Sequence, residues 1–133
     1  MKNLVYVDDE PKVLELVRVA LESKGCRVFV TPHVEEFFRI MEEKPIDLVL
    51  LDIRMPECNG LDLFQDLRKW KHLPVLFITG YPESFSLRSP SLVELWKREF
   101  AKGNTDVLYK PFNLSMLVDK VESLIGPLGE TSP

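Results

Sequence analysis

The chain has 133 residues, 45% hydrophobic and 29% charged, the size and make-up of one globular domain rather than a disordered segment. A net charge of −4 argues against a nucleic-acid or anionic-membrane surface, since both need clustered Lys and Arg. No run approaches the ~18 apolar residues of a membrane span. Met1-Lys2-Asn3 leads straight into an apolar run rather than a secretory signal, so the expected compartment is the cytoplasm. Cys26 and Cys58 have no His or Cys at metal-ligand spacing and read as two unlinked thiols.

Asn3 to Val7 is the first of five short apolar runs, and it stops at Asp8-Asp9-Glu10. Pro11 then suits a first helical turn, and Val13, Leu16, Val17, Ala20 and Leu21 form one stripe before Gly25. Arg27 to Val30 is the second run, followed by Val34, Phe37, Phe38 and Met41 at helical spacing. Ile46 to Leu51 is the third, ending at Asp52, with Gly60, Leu63, Phe64 and Leu67 as the next helical face. Val75 to Ile78 is the fourth and is followed by Thr79. The segment Gly80 to Pro90 is longer than the ~2–6 residues usual for such a connection. A capping-box pattern, Ser91 to Glu94, then predicts a helix running to Lys102. Asp106 to Tyr109 is the fifth run and leads into Lys110. Leu114, Leu117, Val118, Val121 and Ile125 form the last helical face, capped by Asn113 and stopped by Gly126.

Runs such as Leu48-Val49-Leu50-Leu51 show no polar alternation, which suits strands buried on both faces of a parallel sheet. Strands alternating with helices predict an α/β, doubly wound sheet of five parallel strands with right-handed crossovers. Residues 1–126 form the expected domain, and 127–133, rich in Gly, Pro, Ser and Thr, a flexible tail.

Such sheets bind ligands beyond the carboxyl ends of their strands. The residues found there are Asp8, Asp9 and Glu10, then Asp52, Thr79 and Lys110. Any one acidic residue at a strand end can be a helix cap, and Asp9 before Pro11 fits that role. Three facing carboxylates are another matter, because like charges raise one another's pKa unless a cation compensates. An all-oxygen site with few protein ligands suits Mg²⁺, and Lys110 adds a fixed positive charge. A carboxylate nucleophile beside such charges reads as a phosphoryl-transfer site, with Thr79 able to hydrogen-bond a phosphoryl oxygen.

Val7-Asp8-Asp9-Glu10, Leu50 to Pro56 (Leu-Leu-Asp-Ile-Arg-Met-Pro) with Asn59-Gly60, Thr79-Gly80, and Lys110-Pro111-Phe112 together resemble the response-regulator receiver domain. The resemblance implies the flavodoxin-like strand order 2-1-3-4-5. It implies that Asp52 takes a phosphoryl group from a histidine kinase or histidine phosphotransfer protein. Asp9 would ligate Mg²⁺ directly, Asp8 mostly through water, and Arg54 through its carbonyl, with Asp52 completing the metal set. Thr79 would be the switch hydroxyl, Lys110 the phosphate-contacting cation, and Lys110–Pro111 a cis peptide. It further implies a signalling domain rather than an enzyme, catalysing only its own phosphorylation and dephosphorylation. Its partners would include a downstream output protein or domain, and a second copy through the face of the fourth and fifth helices.

Two features depart from that pattern. Val107 stands three residues before Lys110, where receivers usually carry Tyr or Phe, and a valine cannot make the inward swing of a ring. Tyr109 shares its strand face. The long Gly80 to Pro90 segment is the other departure. Arg54 and Tyr81 would flank the phosphoryl group and slow its hydrolysis. His33 and His72 read as surface residues. Three other readings compete. A haloacid-dehalogenase-type phosphatase would place its nucleophile after the first strand, with a second Asp two residues on, where Arg54 follows Asp52 here. FMN binding would need hydroxyls and amides at Asp8-Asp9-Glu10. A non-phosphorylated pseudo-receiver, an interaction module, is the main alternative.

Overall fold

β-branched and leucine residues cluster in five pentapeptides that form the strands of one sheet: β1 (Asn3–Val7), β2 (Arg27–Thr31), β3 (Leu48–Asp52), β4 (Val75–Thr79) and β5 (Thr105–Tyr109). Between and after them lie α1 (Pro11–Glu22), α2 (Val34–Glu43), α3 (Gly60–Arg68) and α4 (Leu114–Ile125). The structure is a computed structural model describing residues 1–53, 60–70, 72–80, 97–98, 101–102 and 104–128. The loop expected after Gly80 and most of the helix expected from Ser91 to Lys102 lie outside these residues. Lys97, Arg98 and Ala101 within that stretch are helical and exposed. The dimer face that would use this helix therefore lies largely outside them too, as do Arg54 and Tyr81.

The sheet order is β2-β1-β3-β4-β5 and every pairing is parallel. Side chains alternate between its faces, as strand geometry requires. Leu4, Tyr6, Leu48, Leu50, Leu76, Ile78 and Leu108 pack with Leu14, Val17 and Leu21 of α1 and with Leu117 and Val121 of α4. Val5, Val7, Val49, Leu51, Val75, Phe77 and Val107 pack on the opposite face with Phe37 and Met41 of α2 and Leu63, Phe64 and Leu67 of α3. The absence of polar alternation in the strands is thus explained: both faces are covered.

Three local expectations are revised. In α1 the buried stripe is Leu14, Val17, Ala20 and Leu21, whereas Leu16 is 49% exposed. Both phases satisfy the i, i+3, i+4 spacing, and the packing of α1 on the sheet selects one. Asp9 is not the cap of α1; Glu10 occupies that position, without a side-chain cap bond. Strands β3 and β4 run one residue further than expected, because Asp52 pairs with Ile78 and Thr79 with Tyr109. Asp52 and Thr79 are therefore the last strand residues rather than the first loop residues.

At the C-terminal end the signals read as anticipated. Asn113 accepts from the Met116 backbone N–H at 2.8 Å, and Gly126 stops α4 at φ 90°. Leu128 beyond it is buried against the α1 and α4 side of the core, and its N–H donates to Glu122 at 2.8 Å. Ordered packing thus extends past Gly126 to Leu128.

Candidate functional site

Parallel pairing places the ends of β1 and β3 side by side, since Val7 is opposite Leu51 in the register. The next residues, Asp8 and Asp52, are both buried and emerge at the same rim. One carboxylate oxygen from each of Asp8, Asp9, Glu10 and Asp52 lies within 4.8 Å of the others. Asp9 and Glu10 face solvent, while Asp8 and Asp52 line the inner side.

Lys110, directly after β5, reaches this cluster from across β4. Its Nζ donates to Asp8 Oδ2 at 3.0 Å and to Glu10 Oε1 at 2.7 Å, and lies 3.5 Å from Asp52 Oδ2. The Lys110 backbone N–H is anchored to the Thr79 carbonyl at 2.8 Å, and the following Lys110–Pro111 peptide is cis. Burial by itself would lower the pKa of the Lys110 ammonium. The Glu10 and Asp8 hydrogen bonds and the Asp8 and Asp52 charges outweigh it, so the net shift is upward and the group stays charged.

Asp8 is held on every side. Its Oδ1 accepts from the Glu10 backbone N–H at 3.1 Å, and its Oδ2 accepts from the Tyr6 hydroxyl as well as from Lys110. Tyr6 is completely buried in β1. Burial, and then the Asp8 charge, push its phenol well above the ordinary tyrosine value, so the hydroxyl is a donor throughout the neutral range. Thr79 is also buried, one residue beyond the Asp52 partner on β4.

Gly60 opens α3 against this rim. A Cβ there would lie 2.3 Å from the Asp52 carbonyl oxygen and 2.8 Å from Ile53 Cα, and the Gly60 N–H donates to the Ile53 carbonyl at 2.6 Å. Only glycine lets the helix approach the Asp52 backbone so closely.

The sequence-predicted residues Asp8, Asp9, Asp52 and Lys110 thus come together, with Thr79 on the neighbouring strand end; Arg54 lies outside the described residues. Sequence reasoning placed Glu10 at this rim without giving it a role, and it missed Tyr6: Glu10 shares Lys110 with Asp8, and Tyr6 donates to Asp8. The signal for Tyr6 was its position two residues before Asp8 on a strand, which puts both on one face. His33 and His72 are exposed, and neither is in the acidic cluster. Val107 is buried in the core cluster on the α2 and α3 side of the sheet, and Tyr109, on its strand face, is 47% exposed.

An all-carboxylate donor set with a nearby ammonium fits a hard divalent cation such as Mg²⁺, and offers neither nitrogen nor sulfur to zinc. Comparison with known proteins gives the same direction. The KDP operon transcriptional regulatory protein KdpE of Escherichia coli is 30% identical over 88% of this chain and 48% of its own length. The chain thus spans about half the length of that curated relative. Among solved structures, the Thermotoga maritima response regulator TrrA in complex with Mg²⁺ and BeF is 30% identical with a TM-score of 0.74, over 93% of this chain and 99% of that one. The complex of histidine kinase ThkA with TrrA matches at 30% identity and a TM-score of 0.74, over 94% of this chain and 99% of that one. The family described as the response regulator receiver domain matches residues 4–122. With its all-parallel 2-1-3-4-5 sheet and that match over most of its length, the chain belongs to the response regulator receiver domain family of two-component signalling.

Proposed function

We propose that this receiver domain is a phosphoryl-accepting switch in which Asp52 is the acceptor. The observation that carries the reading is the single rim where Asp52 lies buried beside Asp8, with the Lys110 ammonium 3.5 Å from Asp52 Oδ2. Attack by a carboxylate oxygen on phosphorus expels the donor group and leaves an acyl phosphate. The negative charge gathering on the transferring oxygens needs cations held in place. Lys110 supplies one. Asp8, Asp9, Asp52 and the Arg54 carbonyl would hold Mg²⁺, which supplies the second and neutralises the clustered carboxylates. Thr79 would then hydrogen-bond the new phosphoryl group and carry the switch.

The phosphodonor is proposed to be a histidine kinase or histidine phosphotransfer protein, and the readout a downstream output protein or domain. An apolar groove beside Lys110, lined by Val13, Leu16, Pro111 and Phe112, offers such a donor a surface next to the acceptor. It also gives the exposed Leu16 a use. No reaction beyond the domain's own phosphorylation and dephosphorylation is proposed, and the reducing cytoplasm suits Cys26 as a buried free thiol.

Acetyl phosphate with Mg²⁺ tests the reading by intact mass. The wild type is expected to gain one phosphoryl group and Asp52→Asn none, with the far-UV circular dichroism of the two alike. Equal incorporation in the variant would move the acceptor elsewhere. No incorporation into wild type from acetyl phosphate, or from a phosphorylated kinase, would favour the interaction module.

A further inference from the structure

Among the described residues Tyr6 is the one phenol buried beside the acidic groups, and the function above makes no use of it. It sits on β1, an inner strand of the sheet, wholly buried, with its hydroxyl donating to Asp8 Oδ2. Asp8 is itself wholly buried and accepts in addition from Lys110 and from the Glu10 backbone. A carboxylate has about four lone-pair directions. Three are filled by protein donors, and two of these converge on Oδ2.

We propose that Tyr6 is a positioning residue that ties down Asp8 and sets how strongly the rim binds a divalent cation. The hydroxyl does two things. It fixes the Asp8 carboxylate plane, and so the position of the oxygen that Lys110 grips. It also withdraws charge from Oδ2, standing in for part of what a cation would supply. In the metal-free protein this donor lessens the repulsion among Asp8, Asp9, Glu10 and Asp52. With a cation bound the same donor is partly redundant, because the cation neutralises the same charge. Tyr6 therefore stabilises the metal-free state more than the metal-bound state, and it weakens cation binding. The inference rests on the reading of the rim as a Mg²⁺ site.

Tyr6→Phe keeps the ring and removes only the donor. Measured by isothermal titration with Mg²⁺ alone, the variant is expected to bind about three- to tenfold more tightly, the share of a charge-assisted hydrogen bond that the cation recovers. Its metal-free melting temperature should fall, and the fall should disappear in an Asp8→Asn background. A purely structural tyrosine would lower the melting temperature in both backgrounds and leave Mg²⁺ affinity unchanged, which would overturn the proposal, as would weaker binding. Absence of Mg²⁺ binding by wild type would instead remove the metal reading on which the proposal stands. If Tyr6→Phe does not fold, wild type labelled with ¹³Cζ-tyrosine decides the matter. Its three tyrosine signals are assigned with Tyr81→Phe and Tyr109→Phe. The Tyr6 signal should move on Mg²⁺ addition, and a stationary signal would overturn the proposal.

Discussion

Lys110 is bonded to two carboxylates and adjacent to a third, which makes it the electrostatic keystone of the rim. The sequence carried the acidic residues and the lysine as separate marks at strand ends. It placed Glu10 at the same rim but did not show that Glu10 would share the lysine with Asp8, because that pairing depends on where β5 stands relative to β1 in space. Cys26 shows how burial alters chemistry. It is 5% exposed behind α1, with its Sγ donating to the Leu21 carbonyl at 3.0 Å. Burial, opposed by a backbone hydrogen bond and aided by the Glu22 charge, pushes the thiol up. The folded state therefore holds the Cys26 proton more tightly than the unfolded chain. This contribution is fully present below the unfolded thiol value and is lost as pH rises through the higher folded value. In a Cys58→Ser background, Ellman's reagent at pH 8 should react at least about tenfold more slowly with the folded protein than with the unfolded chain. Equal rates would show that Cys26 is accessible.

Strands and helices were the most legible level. Five apolar runs and the caps at Asn113 and Gly126 fell close to their observed places, since each signal is local. The phase of α1 was not legible, because Leu16 and Leu14 satisfy the same period and only the sheet beneath decides between them. Nor was the reason for Gly60, which depends on how near the start of α3 passes to the end of β3. That approach gives an element-scale prediction. Gly60→Ala puts a methyl 2.3 Å from the Asp52 carbonyl oxygen, so helix or strand must move. A loss of about 1–3 kcal/mol is expected in urea unfolding. Phosphorylation by acetyl phosphate should also slow, because the atom that yields belongs to the proposed acceptor's own backbone. A stability loss with unchanged phosphorylation would show that α3 moves and the strand does not.

On the scale of the whole molecule, the proposed cation site at the acidic rim would couple folding to cation binding. A ligand that binds only the folded state adds RT ln(1 + [L]/Kd), about 1.4 kcal/mol at ten times Kd. Mg²⁺ should therefore raise the melting temperature of wild type progressively. Asp9 is exposed, whereas Asp8 is already engaged by Tyr6, Lys110 and the Glu10 backbone. Asp9→Ala should accordingly reduce the Mg²⁺-induced rise more than Asp8→Ala, and the reverse order would assign direct ligation to Asp8. The fold's global plan was legible because covered strands leave continuous apolar runs. The convergence of Asp8 with Lys110 was legible only through the rule that places ligands at strand ends.

The Asp8–Lys110 pair joins residues 102 positions apart, the first strand to the last. During synthesis the carboxylates leave the ribosome long before their counter-charge, since chains emerge N-terminus first at about 5–20 residues per second. A nascent chain that has reached Thr79 already holds Asp8, Asp9, Glu10 and Asp52 but not the ammonium beside them. For the proposed switch, competence to receive a phosphoryl group would then wait until the fifth strand docks, and an unfinished chain would carry the proposed acceptor without its counter-charge.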